Sequence, residues 1–197
     1  MVAASVGWLN PWLGAPKRDR SEGRVTLAYR VQSEEGLPLR LKVEINSREH
    51  FSVSGLRKRR FNVNSRWFSG SASIVTYDLA ELLGTKVRAL YQRKKGRDLF
   101  DLWLGCKTAG VEPKQVIGCF LRYMEHERRR MSRAEFEQNF LEKLNDPHFI
   151  DDIGPLIIPG SGWDLEKATG FVLNELAVLI PGEPWQGKTK KYKKSTR

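Results

Sequence analysis

Hydrophobic periodicity changes once along this 197-residue chain, at Asp78, and the change sets its class. Before Asp78 apolar residues recur at every second position. Val25, Leu27, Tyr29 and Val31 alternate with Thr26, Ala28, Arg30 and Gln32. After the turn signal Gly36-Leu37-Pro38, Leu39, Leu41, Val43 and Ile45 alternate with Arg40, Lys42, Glu44 and Asn46. A period of two places one set of side chains on one face of a strand, so the two segments predict a hairpin. Residues 60–68 and 71–77 predict two more short strands. Residues 8–24, with Pro11, Gly14, Pro16 and Gly23, read as loop.

Beyond Asp78 the apolar spacing becomes three and four, which is helical. Asp78 caps a first helix whose stripe is Leu83, Val87, Leu90 and Tyr91. Gly96 breaks it, and Asp98 is placed to cap a second helix with Leu99, Leu102, Trp103 and Cys106 inward. Pro113 opens a third, carrying Val116, Ile117, Phe120, Leu121 and Met124. Ser132-Arg133-Ala134-Glu135 is a capping-box pattern before Phe136, Phe140, Leu141 and Leu144. Pro155 and Pro159-Gly160 interrupt. A last helix spans 164–180, with Ala168, Phe171, Val172, Leu176 and Leu179 on its apolar side, and Pro181-Gly182 ends it. The class is α+β. The expected organisation is a β-rich part over 1–80, a helical part over 81–182, and a basic, disordered tail over 183–197.

The net charge of +11 is concentrated. Lys188, Lys190, Lys191, Lys193, Lys194 and Arg197 occupy the tail with no acid, and Arg57-Lys58-Arg59-Arg60 forms a second cluster. Phosphate backbones bind such clusters through counterion release, so Arg57, Lys58, Arg59, Arg60, Lys190, Lys191, Lys193 and Lys194 are candidate nucleic-acid contacts. A solubilising tail is the competing reading. Trp185 beside the tail is placed to stack on a base. Two cysteines, Cys106 and Cys119, cannot build a disulfide framework and sit on helical stripes, which fits a reducing cytoplasm. No apolar run is long enough to span a membrane, and residues 1–7 lack the regions of a signal peptide. His50, His126 and His148 lack mutual ligand spacing, so no zinc site is predicted.

Residues 82–103 carry the chemistry. Lys86, Arg93 and Arg97 share a helical face if the first helix runs on, and Asp98 and Asp101 stand one turn apart. Cations of this kind hold nucleotide phosphates, and the carboxylates orient a metal or an acceptor. A solvated basic face followed by a capping Asp is the other reading of the same residues. Glu44, between Val43 and Ile45 on a strand, is either a metal-binding carboxylate or an ion-pair partner of Lys42 or Arg40.

The stretch from Leu83-Gly84-Thr85-Lys86 through Arg97-Asp98-Leu99-Phe100-Asp101 resembles the lysine-helix and Arg-Asp signature of the AbiEii/AbiGii toxin nucleotidyltransferases. Residues 41–51 resemble the family's preceding block. Arg66-Trp67-Phe68-Ser69-Gly70-Ser71 and Thr76-Tyr77-Asp78-Leu79 resemble its connecting strands. The likeness runs from about Trp8 to about Ile180. It implies part of a nucleotidyltransferase-like mixed sheet followed by a helical region. It also implies a toxin of a toxin–antitoxin or phage-defence pair that moves a nucleoside monophosphate from NTP to an RNA, tRNA being the expected acceptor. Mg²⁺ would serve as cofactor, and an antitoxin protein would be the partner.

By the same resemblance Lys86 contacts the triphosphate, Asp98 orders Lys86 or the nucleotide, and Glu44 is an acidic position of the metal site. Arg93, Arg97 and Asp101 are candidate nucleotide contacts, the two arginines either binding phosphate or pairing with the aspartates. The family's Gly-Ser turn followed by Asp-x-Asp has no counterpart ahead of Glu44 in this sequence; Gly70-Ser71 comes after it and is not followed by Asp-x-Asp. The expectation is a chain shortened at its start relative to the family, which leaves open whether it is an enzyme. Two alternatives stand: an inactive remnant, and a non-catalytic basic module that binds RNA or a partner.

Overall fold

In a computed structural model of the chain, the structure describes residues 17–21, 23–32, 35–46, 50–66, 68–157, 160 and 162–187. They belong to two compact units that meet in sequence between Phe51 and Ser52.

The first unit is a three-stranded antiparallel sheet in the order β1-β2-β3, with β1 at Lys17–Ser21, β2 at Arg24–Gln32 and β3 at Pro38–Asn46. The predicted hairpin is β2-β3: Val25 faces Ile45, Leu27 faces Val43 and Tyr29 faces Leu41. This register follows from the period-two pattern, because a one-residue slip would turn every apolar side chain to the other face. Tyr29 is buried against Leu27, Leu41 and Val43. Gly23, at φ 74°, stands in the β1-β2 turn, in the left-handed region that glycine enters without a Cβ penalty. Strand β1 corrects the loop reading of 8–24 over Lys17–Ser21; residues 8–16 and 22 lie outside the described residues. Its sequence Lys-Arg-Asp-Arg-Ser has no apolar alternation because all five residues are exposed, and it is held to β2 through backbone hydrogen bonds at the sheet edge.

The second unit begins with a two-stranded ribbon, β4 (Arg57–Asn64) and β5 (Ser69–Thr76). Strand β4 lies three to four residues ahead of its expected position and β5 one to two. The cause is a reversal at 65–68, closed by the Ser65 N–H donating to Phe68 O at 2.9 Å. The basic cluster therefore lies on a strand. All described strand pairs are antiparallel, which corrects the expected mixed sheet. Short connections join neighbours in sequence, and a parallel pair would need a long crossover.

Helices follow: α1 (Leu79–Gln92), α2 (Gly96–Ala109), α3 (Pro113–His126), α4 (Arg133–Lys143), α5 (Pro147–Asp151) and α6 (Leu165–Phe171). Helix α6 runs on through a π-helical turn at Val172–Leu176 and a 3₁₀ turn at Ala177–Leu179, so the expected helix over 164–180 is present with a changing pitch. The expected Asp78 cap, proline at the first turn of α3 and the Ser132–Glu135 capping box all form, and Asp164 caps α6 as well. The stripes read from sequence become the core: Val87, Leu90, Leu99, Leu102, Val116, Ile117, Phe120, Phe136, Phe140, Val172 and Leu176 are buried together. Leu179 is the exception, exposed where the helix tightens. Gly84 lets α3 approach α1, since a Cβ there would stand 2.8 Å from Cys119 Cβ and 2.9 Å from Val116 O.

Candidate functional site

Helix α1 ends at Gln92, not beyond Arg97 as a continuous basic face would need. Arg93 is its C-cap, in an extended conformation with φ −135°. That break turns the Arg93 side chain back onto the start of α2. Asp98 lies in the first turn of α2 with its carboxylate fully buried. It does not cap the helix: Lys95 is the N-cap and makes no side-chain cap bond. Asp98 instead accepts a two-pronged bond from Arg93, Nε to Oδ2 at 2.7 Å and Nη2 to Oδ1 at 2.7 Å. Fork-to-fork pairing is the strong form of this interaction. Its hydrogen bond to Asp98 raises the Arg93 pKa still further above its ordinary value.

Lys86 reaches the same carboxylate from α1. Its Nζ lies 3.4 Å from Asp98 Oδ1 and 2.7 Å from Asp101 Oδ2. Side-chain exposure falls from 41% at Asp101 to 35% at Lys86 and 0% at Asp98, so the lysine bridges solvent and core. An ammonium has three donors, and two are directed at carboxylates. The two aspartates fix where the ammonium sits.

Arg97 points elsewhere. Its N–H donates to Asp152 Oδ2 at 3.3 Å, and its Nε lies 3.9 Å from the same oxygen. Lys95 Nζ is 3.5 Å from Asp152 Oδ1, and Lys94 Nζ is 3.4 Å from Asp146. Burial pushes the Asp152 carboxyl up, but the Arg97 N–H and the charges of Arg97 and Lys95 hold it below the usual range. Gly96 is required here: a Cβ would run into Phe149 O and stand 2.8 Å from Ile153 Cγ1, so α5 packs directly on the start of α2. The structure thus joins Lys86, Arg93, Asp98 and Asp101 in one cluster and places Arg97 in a neighbouring one.

Glu44 belongs to the first unit. On exposed β3 it pairs with Lys42 at 2.8 Å and Arg24 at 3.5 Å, and the bond to Lys42 holds its carboxyl below the usual range. Mg²⁺ needs several hard oxygens converging on one point. Among the described residues no three His, Cys, Asp or Glu side chains converge in that way. The described residues do not fit a magnesium ion. Arg57, Lys58, Arg59 and Arg60 are exposed on β4, with Arg57 Nε 3.0 Å from Asp78. Lys190, Lys191, Lys193 and Lys194 lie outside the described residues. Burial pushes the Cys106 thiol up to about 11 and the Cys119 thiol also upward, so both are protonated near neutrality and poor nucleophiles.

Two charged residues escaped the sequence reading. Glu81, fully buried in α1, accepts from the N–H groups of Val53 and Ser54 at 2.7 and 2.9 Å, from Ser52 Oγ and from Tyr123 OH. The pattern Asp78-x-x-Glu81 disguises it as a capping box. Lys143, at the end of α4, donates to Leu90 O and to Tyr91 O, the latter at 2.6 Å. It satisfies carbonyls at the end of α1 that have no partner inside the helix. No local signal marks it, because its acceptors are more than 50 residues away.

A family model described as "Nucleotidyl transferase AbiEii toxin, Type IV TA system" matches residues 10–168. No curated protein and no solved structure matches the chain.

Proposed function

The chain belongs to the AbiEii nucleotidyltransferase toxin family of type IV toxin–antitoxin systems, and from that premise we propose that its Lys86 cluster binds the triphosphate of an NTP whose nucleoside monophosphate is passed to an RNA, with tRNA the first acceptor to test. In this transfer an RNA hydroxyl oxygen bonds to the α-phosphorus, the bond from that phosphorus to the bridging oxygen of the β-phosphate breaks, pyrophosphate leaves with the electron pair, and the hydroxyl proton passes to water. Negative charge grows on the leaving pyrophosphate, and a fixed ammonium stabilises it without reorganising during the step. The observation that supports this reading is the position of Lys86, a partly exposed side chain held between buried Asp98 and half-exposed Asp101. Asp98 is the positioning residue: its carboxylate is itself locked by Arg93. Arg97 serves phosphate only by exchanging its contact with Asp152.

The family implies a cognate antitoxin that opposes the toxin. No helix among the described residues is long and apolar enough to cross a membrane, and the proposal puts the reaction in the cytoplasm, where RNA and NTP are at hand. Magnesium belongs in the reaction mixture by family likeness alone.

The test is transfer of label from each of the four α-labelled NTPs to a tRNA pool, with and without Mg²⁺, for the wild-type chain and Lys86→Ala. We expect label on RNA with one or more NTPs and a loss of about 100-fold or more in the variant, the scale of removing one preorganised charge donor. Melting temperatures should agree within about 2 °C, because Arg93 still holds Asp98. Equal transfer by both proteins would remove Lys86 from the site. No transfer by either, while both bind RNA, would favour the non-catalytic module.

A further inference from the structure

The four basic residues of β4 are adjacent in sequence but do not share a face. Successive side chains of a strand point to opposite sides, and directly opposed residues of an antiparallel pair point the same way. The register pairs Arg60 with Ser73, Asn62 with Ser71, and Asn64 with Ser69. Lys58, opposite Val75, completes that side. The other side carries Arg57, Arg59, Phe61 and Val63 opposite Thr76, Ile74, Ala72 and Gly70. One face of the ribbon is therefore a row of cations, amides and hydroxyls without a carboxylate. The other is largely apolar, with Phe61 and Ile74 exposed and Phe68 lying over Gly70.

We propose that the polar face of the β4-β5 ribbon is where this chain grips the phosphodiester backbone of RNA, with Lys58 and Arg60 as its charged contacts. The inference rests on the reading of the chain as an RNA-modifying toxin and assigns the acceptor its surface. Three observations carry it. The residue types are those that contact phosphate oxygens: Lys and Arg, with Ser and Asn hydroxyls and amides. They recur at every second strand position, about 6.8 Å apart, which is close to the nucleotide step of an extended single strand. The cations are uncommitted: among the described residues Lys58 has no ion-pair partner, and Arg60 donates only to Ser71 Oγ, at 3.4 Å.

Arg57, by contrast, is held at 3.0 Å by Asp78. An acidic protein partner fits this face less well, because stable protein interfaces centre on buried aromatic or aliphatic anchors. Here the only apolar side chain is Val75, at one end of the row.

The experiment compares two charge-matched double variants of the full chain, Lys58→Gln/Arg60→Gln and Arg57→Gln/Arg59→Gln. The affinity of each for fluorescent oligo(U) is read by anisotropy across a NaCl series, without NTP. Each phosphate contact to a single strand contributes about 0.7 to the slope of log K against log salt. The first variant should lower the slope by about 1.4 and the second by less than half of that. Lys58→Arg should keep the wild-type slope, because charge and not shape is read. Equal losses in the two double variants would mean diffuse attraction and would overturn the proposal. So would an unchanged slope in the first variant, or a first variant that loses only binding to a polyglutamate peptide. Since NTP is absent, failure of the transfer reaction leaves this result interpretable, and failure here leaves the transfer assay untouched.

Discussion

Lys143 shows how much a single residue carries. A buried ammonium is costly unless it is bonded, and here it is bonded to Leu90 O and Tyr91 O beside the Tyr91 ring. Burial lowers its pKa from 10.5 to about 8; Lys94 pushes the same way, and Asp98 opposes. In the folded chain it loses its proton earlier than in the unfolded chain. Between pH about 8 and 10.5 the unfolded state binds more protons, so stability rises with pH across that window and is flat below it. The full span is worth about 3 kcal/mol, of which about 2 kcal/mol should appear between pH ~7 and ~9.5. The neutral amine still has two donors for its two carbonyls. Urea midpoints of the wild type and Lys143→Met should therefore diverge in the wild type's favour as pH rises over this range. Parallel pH profiles would show that the lysine is not titrating in the folded chain.

Among the elements, α1 combines the most roles: it holds Lys86, Glu81 and the glycine that admits α3. Gly84→Ala forces a methyl against the Cys119 side chain and the Val116 and Phe120 backbone, and backbone cannot rotate away. Alanine's better helix propensity offsets about 1 kcal/mol, but crowding of a packed interface costs about 1–3 kcal/mol or more. We expect net destabilisation, seen as a lower melting temperature by circular dichroism; an unchanged or raised value would mean that α3 can retreat freely. Helices were legible in the sequence because their stripes are repetitive and their caps local, as at Asp78 and Ser132. The β2-β3 hairpin was legible for the same reason. Strand β1 was not, since an exposed edge strand needs no apolar pattern. Nor was the burial of Asp98, which depends on the chain breaking at Arg93 and returning its guanidinium, a tertiary event without a local signature. Lys86 was legible as a cation on a helical face and took its role from likeness; its geometry between two aspartates could not be read from spacing alone.

At the scale of the whole molecule, acid is the condition that tests how the second unit holds together. Glu81 accepts from 52–54 and from Tyr123 of α3, so one carboxylate fastens the segment leading into the ribbon to two helices of the core. Burial pushes its pKa up, but the Val53 and Ser54 N–H groups, with Tyr123 and Ser52, more than compensate and hold it below its usual 4.5. A depressed carboxyl gives stability that is present above the unfolded value and is lost as pH falls through the folded one. Meanwhile the net charge, already +11 at neutrality, climbs as the 23 acidic side chains protonate, and self-repulsion adds to the loss. Glu81→Gln separates the two effects. Repulsion changes by a single charge, while the linked proton disappears along with the charge-assisted bonds to Val53 and Ser54. The variant should be less stable at pH ~7 by about 1–3 kcal/mol. Its melting temperature should also fall less steeply than the wild type's between pH ~5 and ~3, so the two curves converge in acid. Convergence would assign the acid sensitivity to this carboxylate; curves that stay parallel would assign it to global charge.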